Sequence, residues 1–200
     1  MAGQHAAHGH RDHADDAKAR EKFIIDLYPA AVAVSKQTGI SWQLILAQAA
    51  QETGWGQKVL PGTDNIFNIK AIGGWKGTSK TFKVPEYDRK TQKWVRVDQA
   101  FRVYPSCEAS LKDWVAFLRA NPRYTAAGLF KKGTKGNLGK EAAALQAAHY
   151  ATDPAYARHI VRLLDGPTMQ RAIREAQANM QSKSAGSAAP APSSSPRVTH

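Results

Sequence analysis

Residues 41–56, "SWQLILAQAAQETGWG", constrain the fold more than any other stretch. Trp42, Ile45, Leu46, Ala49 and Ala50 recur at the i, i+3, i+4, i+7, i+8 spacing of a helix with one buried face. Ser41 is placed to cap its start, since a serine side chain can accept from the free N–H groups of a first turn. Gly54 and Gly56 end it. Glu52 falls in the last turn, beside Ile45 at the edge of the apolar face and near the negative end of the helix dipole. Partial burial and that dipole both disfavour a carboxylate anion, raising its pKa toward the range of a general acid near neutral pH. The plainer alternative is a helix-terminal glutamate followed by a glycine C-cap. Trp55, between the two glycines, offers a flat face to a sugar ring.

The rest of the chain builds around this helix. Residues 20–37 form a first helix, with Phe23, Ile24, Leu27, Ala30, Ala31 and Val34 on one side and Pro29 inside the pattern. Between 73 and 105 the period changes. "TFKVPEY" and "KWVRVDQAFRVY" alternate as strands, joined by a turn at "DRKTQ". Helical spacing returns at "SCEASLKDWVAFLRA", which begins at Ser106, and in "KEAAALQAAHYAT" and "PAYARHIVRLLDG". Asp153 and Pro154 stand as N-cap and first residue of the last of these. The fold class is α+β, mainly α, with a β-hairpin lobe set between helices. Residues 1–19 are polar and hold His5, His8, His10 and His13; a metal-binding tract is one reading and a disordered tail the preferred one. Residues 182–200 are Ala/Pro/Ser-rich and expected to be disordered, leaving 20–181 as the folded domain.

A formal charge of +12 calls for an anionic partner: nucleic acid, an anionic membrane surface or the bacterial wall. The basic residues are spread along the sequence without a nucleic-acid fingerprint, so no nucleic-acid partner is expected. No apolar run is long enough for a membrane span. The single Cys107 excludes an internal disulfide, and no spaced ligand set calls for a metal; His149 has no second ligand beside it. No cofactor is expected.

The segments "ILAQAAQETGWGQ", "NIFNIKA", "WKG", "VPEYD", "FRVYPS", "LKDWVAFL", "NPRY" and "HYATDPAYARHIVRLL" occur in this order over residues 22–165. Together they resemble the bacterial β-N-acetylglucosaminidase domains of glycoside hydrolase family 73, most of all its flagellar peptidoglycan-hydrolysing members. The resemblance implies a lysozyme-like fold, with an α-lobe and a small β-lobe flanking a groove, and cleavage of a β-1,4 bond in the glycan strands of peptidoglycan. It makes Glu52 the general acid and Glu86 of "VPEYD" the second carboxylate, with Asp88 and Asp98 as alternatives. It places Tyr150 near the acid and makes Tyr124 and Tyr156 further substrate-binding candidates. Asn65 and Phe67 are candidate groove residues. Asn68 departs from the family pattern, in which glycine commonly precedes Ile-Lys; it either alters the groove floor or serves as a turn residue. Trp75, Trp94 and Trp114 are expected to pack rather than to carry sugar. Two carboxylates in unlike surroundings suit the reaction, since one must hold a proton and the other act as base or nucleophile.

The first twenty residues lack the apolar stretch of a secretory signal. The enzyme is therefore expected to be made in the cytoplasm and to act on the wall in the periplasm. Type VI injection into rival cells is the favoured route, with an immunity protein occluding the groove in the producing cell. A phage endolysin, a flagellar-type wall-remodelling enzyme and a non-catalytic peptidoglycan-binding module are the alternatives. A monomer is expected.

Overall fold

The computed structural model describes residues 6–88 and 90–187, with side chains described except at 6–14, 87 and 187. Helix α1 spans Ala6–Thr38 and α2 spans Trp42–Thr53; strands β1 (Ser79–Asp88) and β2 (Lys93–Arg102) follow. Helices α3 (Cys107–Ala120), α4 (Pro122–Ala126), α5 (Leu138–Ala147), α6 (Tyr156–Asp165) and α7 (Pro167–Ser187) complete the chain. The fold is mainly helical with one two-stranded antiparallel sheet, as expected from the sequence.

Helix α2 lies at the centre. Leu44, Ile45, Leu46, Ala47, Ala49 and Ala50 are buried, packed by α1 on one side and α5 and α6 on the other. Its start is held twice. Ser41 Oγ accepts from the N–H of Leu44 at 3.1 Å, and Ser41 itself is gripped by Glu141, the buried first-turn glutamate of α5. Glu141 Oε1 accepts from the N–H groups of Ser41 (3.0 Å) and Gly136 (2.8 Å), and Ser41 Oγ donates to Oε2.

The hairpin pairs Ser79 with Arg102 through Asp88 with Lys93. Side chains alternate across it, so Phe82, Val84 and Glu86 share a face with Val95, Val97 and Phe101. On that face Phe101 is buried and bridges to Lys70 in the loop between α2 and β1. Trp94 is on the other face and 71% exposed, so it does not pack into a core as expected.

Three expectations change. The N-terminal tail expected to be disordered over 1–19 is helical from Ala6, and Asp16 pairs with Arg20 one turn on at 2.7 Å. The C-terminal boundary also moves: α7 continues to Ser187 and buries Met169, Ala172, Ile173 and Ala176 against α1. Residues 1–5 and 188–200 lie outside the described residues, and so do the side chains of the tail histidines. Asp153 is not the N-cap of α6, which is Ala155. Its carboxylate instead accepts from the Ala155 N–H at 2.8 Å and pairs with His159 at 2.6 Å, pinning the turn before the helix. Pro29 sits within α1 without ending it.

Candidate active site

The end of α2 is an unusual turn. Gly54, Trp55 and Gly56 take φ values of 56°, 60° and 89° in succession, all left-handed. For the two glycines this conformation has no steric cost. Trp55 is held there by its N–H bond to Ala50 O (3.0 Å) and by half-burial against the core. Thr53 closes the turn: its hydroxyl donates to Ala49 O at 2.5 Å and accepts from the Gly56 N–H at 2.7 Å. Glu52, one residue earlier, is left facing solvent.

Solvent reaches the Glu52 carboxyl, but protein packed around its inner side pushes its pKa above the ordinary carboxylate range. A hydrogen bond from Gln48 and the Lys58 ammonium oppose that rise without cancelling it. Gln48 is fully buried one turn before Glu52; its Nε2 donates to Glu52 Oε1 at 3.0 Å, and its Oε1 accepts from the Tyr156 hydroxyl.

Beyond Gln48 the rings of Tyr156, Tyr150 and Tyr124 follow one another, with centroids 5.8 and 6.0 Å apart. The Tyr150 hydroxyl accepts from Trp114 Nε1 at 3.2 Å, and Trp114 stacks on Phe67 at 4.6 Å. Burial is the main reason the Tyr150 hydroxyl is pushed up to about 12, with the Glu52 carboxyl adding to it.

Tyr150, Phe67 and Trp114 form one wall of an open pocket of about 310 Å³. Ile72 and Phe117 also line it and stand 62% and 44% exposed, an unusual state for large apolar side chains beside a cleft. Lys70 and Arg102 add positive charge. Arg102 is fixed from two sides: its guanidinium lies 4.4 Å over the Trp75 ring and Nη1 pairs with Asp113 at 2.7 Å. Lys70 Nζ is 4.0 Å from Glu86 Oε2, so Glu86 reaches the pocket through a residue that lines it. The other two acids of the hairpin have local partners. Asp88 caps its turn, accepting from Lys90 N–H and the Thr91 hydroxyl at 2.8 Å each, and Asp98 pairs with Lys83 at 3.5 Å.

Of the residues singled out from sequence, Phe67 and Tyr150 therefore line the pocket, the Glu52 carboxyl is near enough to act on the Tyr150 hydroxyl, and Glu86 stands across Lys70. Asn65, Tyr124 and Tyr156 are buried and are not among the residues lining this pocket. Asn65 is fully buried and acts as a latch: Nδ2 donates to Ile69 O and Arg102 O, both at 2.9 Å, and Oδ1 accepts from Ile69 N–H at 2.8 Å. Tyr124 and Tyr156 are each 1% exposed; the Tyr124 hydroxyl accepts from Nη2 of the exposed Arg123 at 2.6 Å, and the Tyr156 hydroxyl donates to the buried Gln48. Trp55 packs against the core, and it is not among the residues lining the pocket.

Asn68 is a turn residue. It takes φ 47°, where asparagine is tolerated, and its side chain accepts from Leu60 N–H (3.3 Å) and donates to Lys58 O (2.7 Å). Sequence reasoning missed Gln48, Lys70, Ile72, Arg102 and Phe117. Gln48 alone carried a signal, since it lies four residues before Glu52 and so on the same side of the helix.

The fold is that of the lysozyme-like glycoside hydrolases. The family model described as mannosyl-glycoprotein endo-beta-N-acetylglucosaminidase matches residues 28–168, and the chain belongs to this glucosaminidase family, glycoside hydrolase family 73. It is 40% identical over 147 residues to the peptidoglycan hydrolase FlgJ of Escherichia coli K12, covering 71% of this chain and 45% of that protein. The chain thus spans less than half the length of that relative. The solved glycoside hydrolase domain of Salmonella typhimurium FlgJ superposes with a TM-score of 0.64 at 34% identity, covering 84% of this chain and 98% of that one. A type VI secretion system effector–immunity complex from Pseudomonas protegens matches with a TM-score of 0.50 at 15% identity, covering 80% of this chain and 94% of that one. The last likeness is one of fold alone.

Proposed function

We propose that this chain cleaves the β-1,4 bonds of peptidoglycan glycan strands as an endo-β-N-acetylglucosaminidase. Glu52 is the general acid and Glu86 the second carboxylate. The observation that carries this reading is the placement of Glu52: a partly desolvated carboxyl with a raised pKa, at a helix end, acting on the tyrosine that lines the apolar pocket. The family membership and the FlgJ likeness support the same substrate. In the reaction the Glu52 proton passes to the glycosidic oxygen as the bond from that oxygen to the anomeric carbon breaks. Glu86 meets the positive charge that develops on the sugar, as base for the incoming water or as nucleophile. Water ends as hydroxyl on the anomeric carbon; its proton goes to Glu86 where Glu86 is the base, with solvent then exchanging protons with both carboxyls, and back to Glu52 where Glu86 is the nucleophile.

Charge favours the wall as partner. Nine of the Lys and Arg residues fall between positions 70 and 102 against three acids, so about half of the net +12 gathers on and beside the hairpin. Peptide stems bearing carboxylates would meet that lobe. The test is digestion of purified sacculi with mass analysis of the new reducing ends. N-acetylglucosamine ends are expected. N-acetylmuramic acid ends would make it a muramidase, and anhydro ends a lytic transglycosylase. Binding without cleavage would leave a non-catalytic wall-binding module.

For its biological setting we propose action in the periplasm of rival cells after type VI injection, with an immunity protein over the groove in the producer. A phage endolysin and a flagellar remodelling enzyme are the alternatives to this setting. Expression directed to the periplasm should lyse Escherichia coli, cytoplasmic expression should not, and a neighbouring exported protein should rescue the cells. Rescue by no neighbour, with holin or flagellar genes alongside, would overturn the effector assignment.

A further inference from the structure

The fully buried Gln48 has a role that burial alone does not explain. A carboxamide in an apolar helix face costs stability unless both of its ends are bonded. Here both ends are bonded, and in a directed way: the carbonyl takes the Tyr156 hydroxyl and the amide nitrogen points at Glu52. Tyr156 is itself buried and carried by a different helix, α6, which packs against α2.

We propose that Gln48 is the positioning residue of the acid, held by Tyr156 so that its N–H engages Glu52 Oε1 and leaves the acid's proton on Oε2. This rests on the reading of Glu52 as general acid. The donor on Oε1 draws that oxygen's lone pairs, so the acid form carries its hydrogen on the other oxygen. Among the described residues Oε2 accepts no protein hydrogen bond, which leaves it to substrate and solvent. A fixed proton position matters because transfer needs alignment with the glycosidic oxygen, and small misplacements are costly in rate.

The same bond also sets when the proton is available. A donor to a carboxylate favours the ionised form, so Gln48 restrains the rise that burial imposes on Glu52. The other titratable or charged groups that act on Glu52 are Lys58 from the turn after α2, Tyr150 from the α5–α6 connection and Tyr156 from α6. Lys58 acts in the same direction as Gln48. The two tyrosines are neutral in the working range, since burial pushes both hydroxyls upward.

The test uses two substitutions and two readouts. Gln48→Met keeps the volume and removes both bonds; Tyr156→Phe keeps the amide and removes its anchor. The titration of the Glu52 carboxyl is followed by carbon NMR, assigned with Glu52→Gln, and hydrolysis of sacculi is followed against pH. In Gln48→Met the titration and the alkaline limb of the rate should both move to higher pH, with kcat down about tenfold and KM within about twofold. Tyr156→Phe should move them the same way by less. An unmoved Glu52 titration in both variants overturns the inference, as does a raised KM at unchanged kcat. If the wild-type chain fails to cleave peptidoglycan, the proposed function falls while the NMR titration still decides whether Gln48 governs Glu52.

Discussion

Gly56 lies directly against the ring of Phe23: a β-carbon at Gly56 would sit 2.4 Å from Phe23 Cδ2. Its φ of 89° is also one that L side chains rarely adopt. Gly56→Ala should therefore destabilise the domain by about 3 kcal/mol, from strain and overpacking together. Thermal unfolding should show a fall of roughly 6–12 °C. Gly54→Ala should be milder, because the nearest neighbour to its added carbon is Lys58 Cε at 3.7 Å. The reverse order would contradict this account of the turn.

Removing the proposed acid should separate chemistry from folding. Glu52→Gln should lower sacculus hydrolysis at least about a hundredfold, and Glu86→Gln comparably, with the melting temperature nearly unchanged. The raised Glu52 pKa fixes the sign of the pH response. Activity that needs the protonated form persists above the ordinary carboxylate range and falls as pH climbs through the displaced value. A wild-type rate that instead rises steadily with pH through that window would remove Glu52 from the acid role.

Glu141 predicts a pH effect on stability. Burial raises its pKa above the reference 4.5, despite bonds from Ser41 and Gly136 that favour the anion. The folded state then holds the proton more tightly than the unfolded one, so this group's contribution is complete below about 4.5 and declines as pH rises to the folded value. Denaturant titrations of wild type and Glu141→Gln across that window should show the difference shift in favour of the variant as pH rises. Glu141→Ala strands the Ser41 and Gly136 N–H groups and should cost about 3 kcal/mol at any pH.

Asn68 should tolerate glycine better than a branched residue. Asn68→Gly keeps the left-handed turn and loses two side-chain bonds, at a cost of about 1–2 kcal/mol. Asn68→Val adds backbone strain and should cost about 3 kcal/mol or more, read by chemical denaturation.

The hairpin charge should act on binding rather than on turnover. Lys83, Lys90 and Lys93 are exposed. Reversing Lys90 and Lys93 to glutamate should raise KM on sacculi several-fold at low salt and leave kcat near wild type. The difference should shrink at high salt, as screened attraction does. An equal penalty at all salt concentrations would place the effect in the fold.

Much of this fold is legible in the sequence because its periods are clean. Helix α2 with its Ser41 cap, α3 behind Ser106 and the hairpin all lie where spacing and turn residues put them. Helix α7 is harder to see because small residues, Ala172 and Ala176, form much of its buried side. At the site Glu52 is visible from position, but a helix-terminal glutamate before a glycine C-cap is a common arrangement, and the family resemblance rather than position singles it out as the proposed acid. The roles of the tyrosines are not legible in the sequence. An aromatic ring with a polar tip suits a sugar groove and a buried network equally well, and only the partners of Tyr124 and Tyr156 decide between them. Charge is misjudged for a related reason: lysines dispersed along a hairpin's sequence come together once its strands pair.

The pairing of α1 with α7 also bears on how the molecule comes into being. Glu21 meets Arg171 and Tyr28 meets Gln177, so the first described helix is covered by the last described one. Contacts that distant in sequence form late and slow the search for the native state. On the ribosome the part of α1 that α7 covers waits until residues 167–187 have been translated. Synthesis from the amino end thus withholds completion of the domain, and with it a finished groove, until the last helix has emerged.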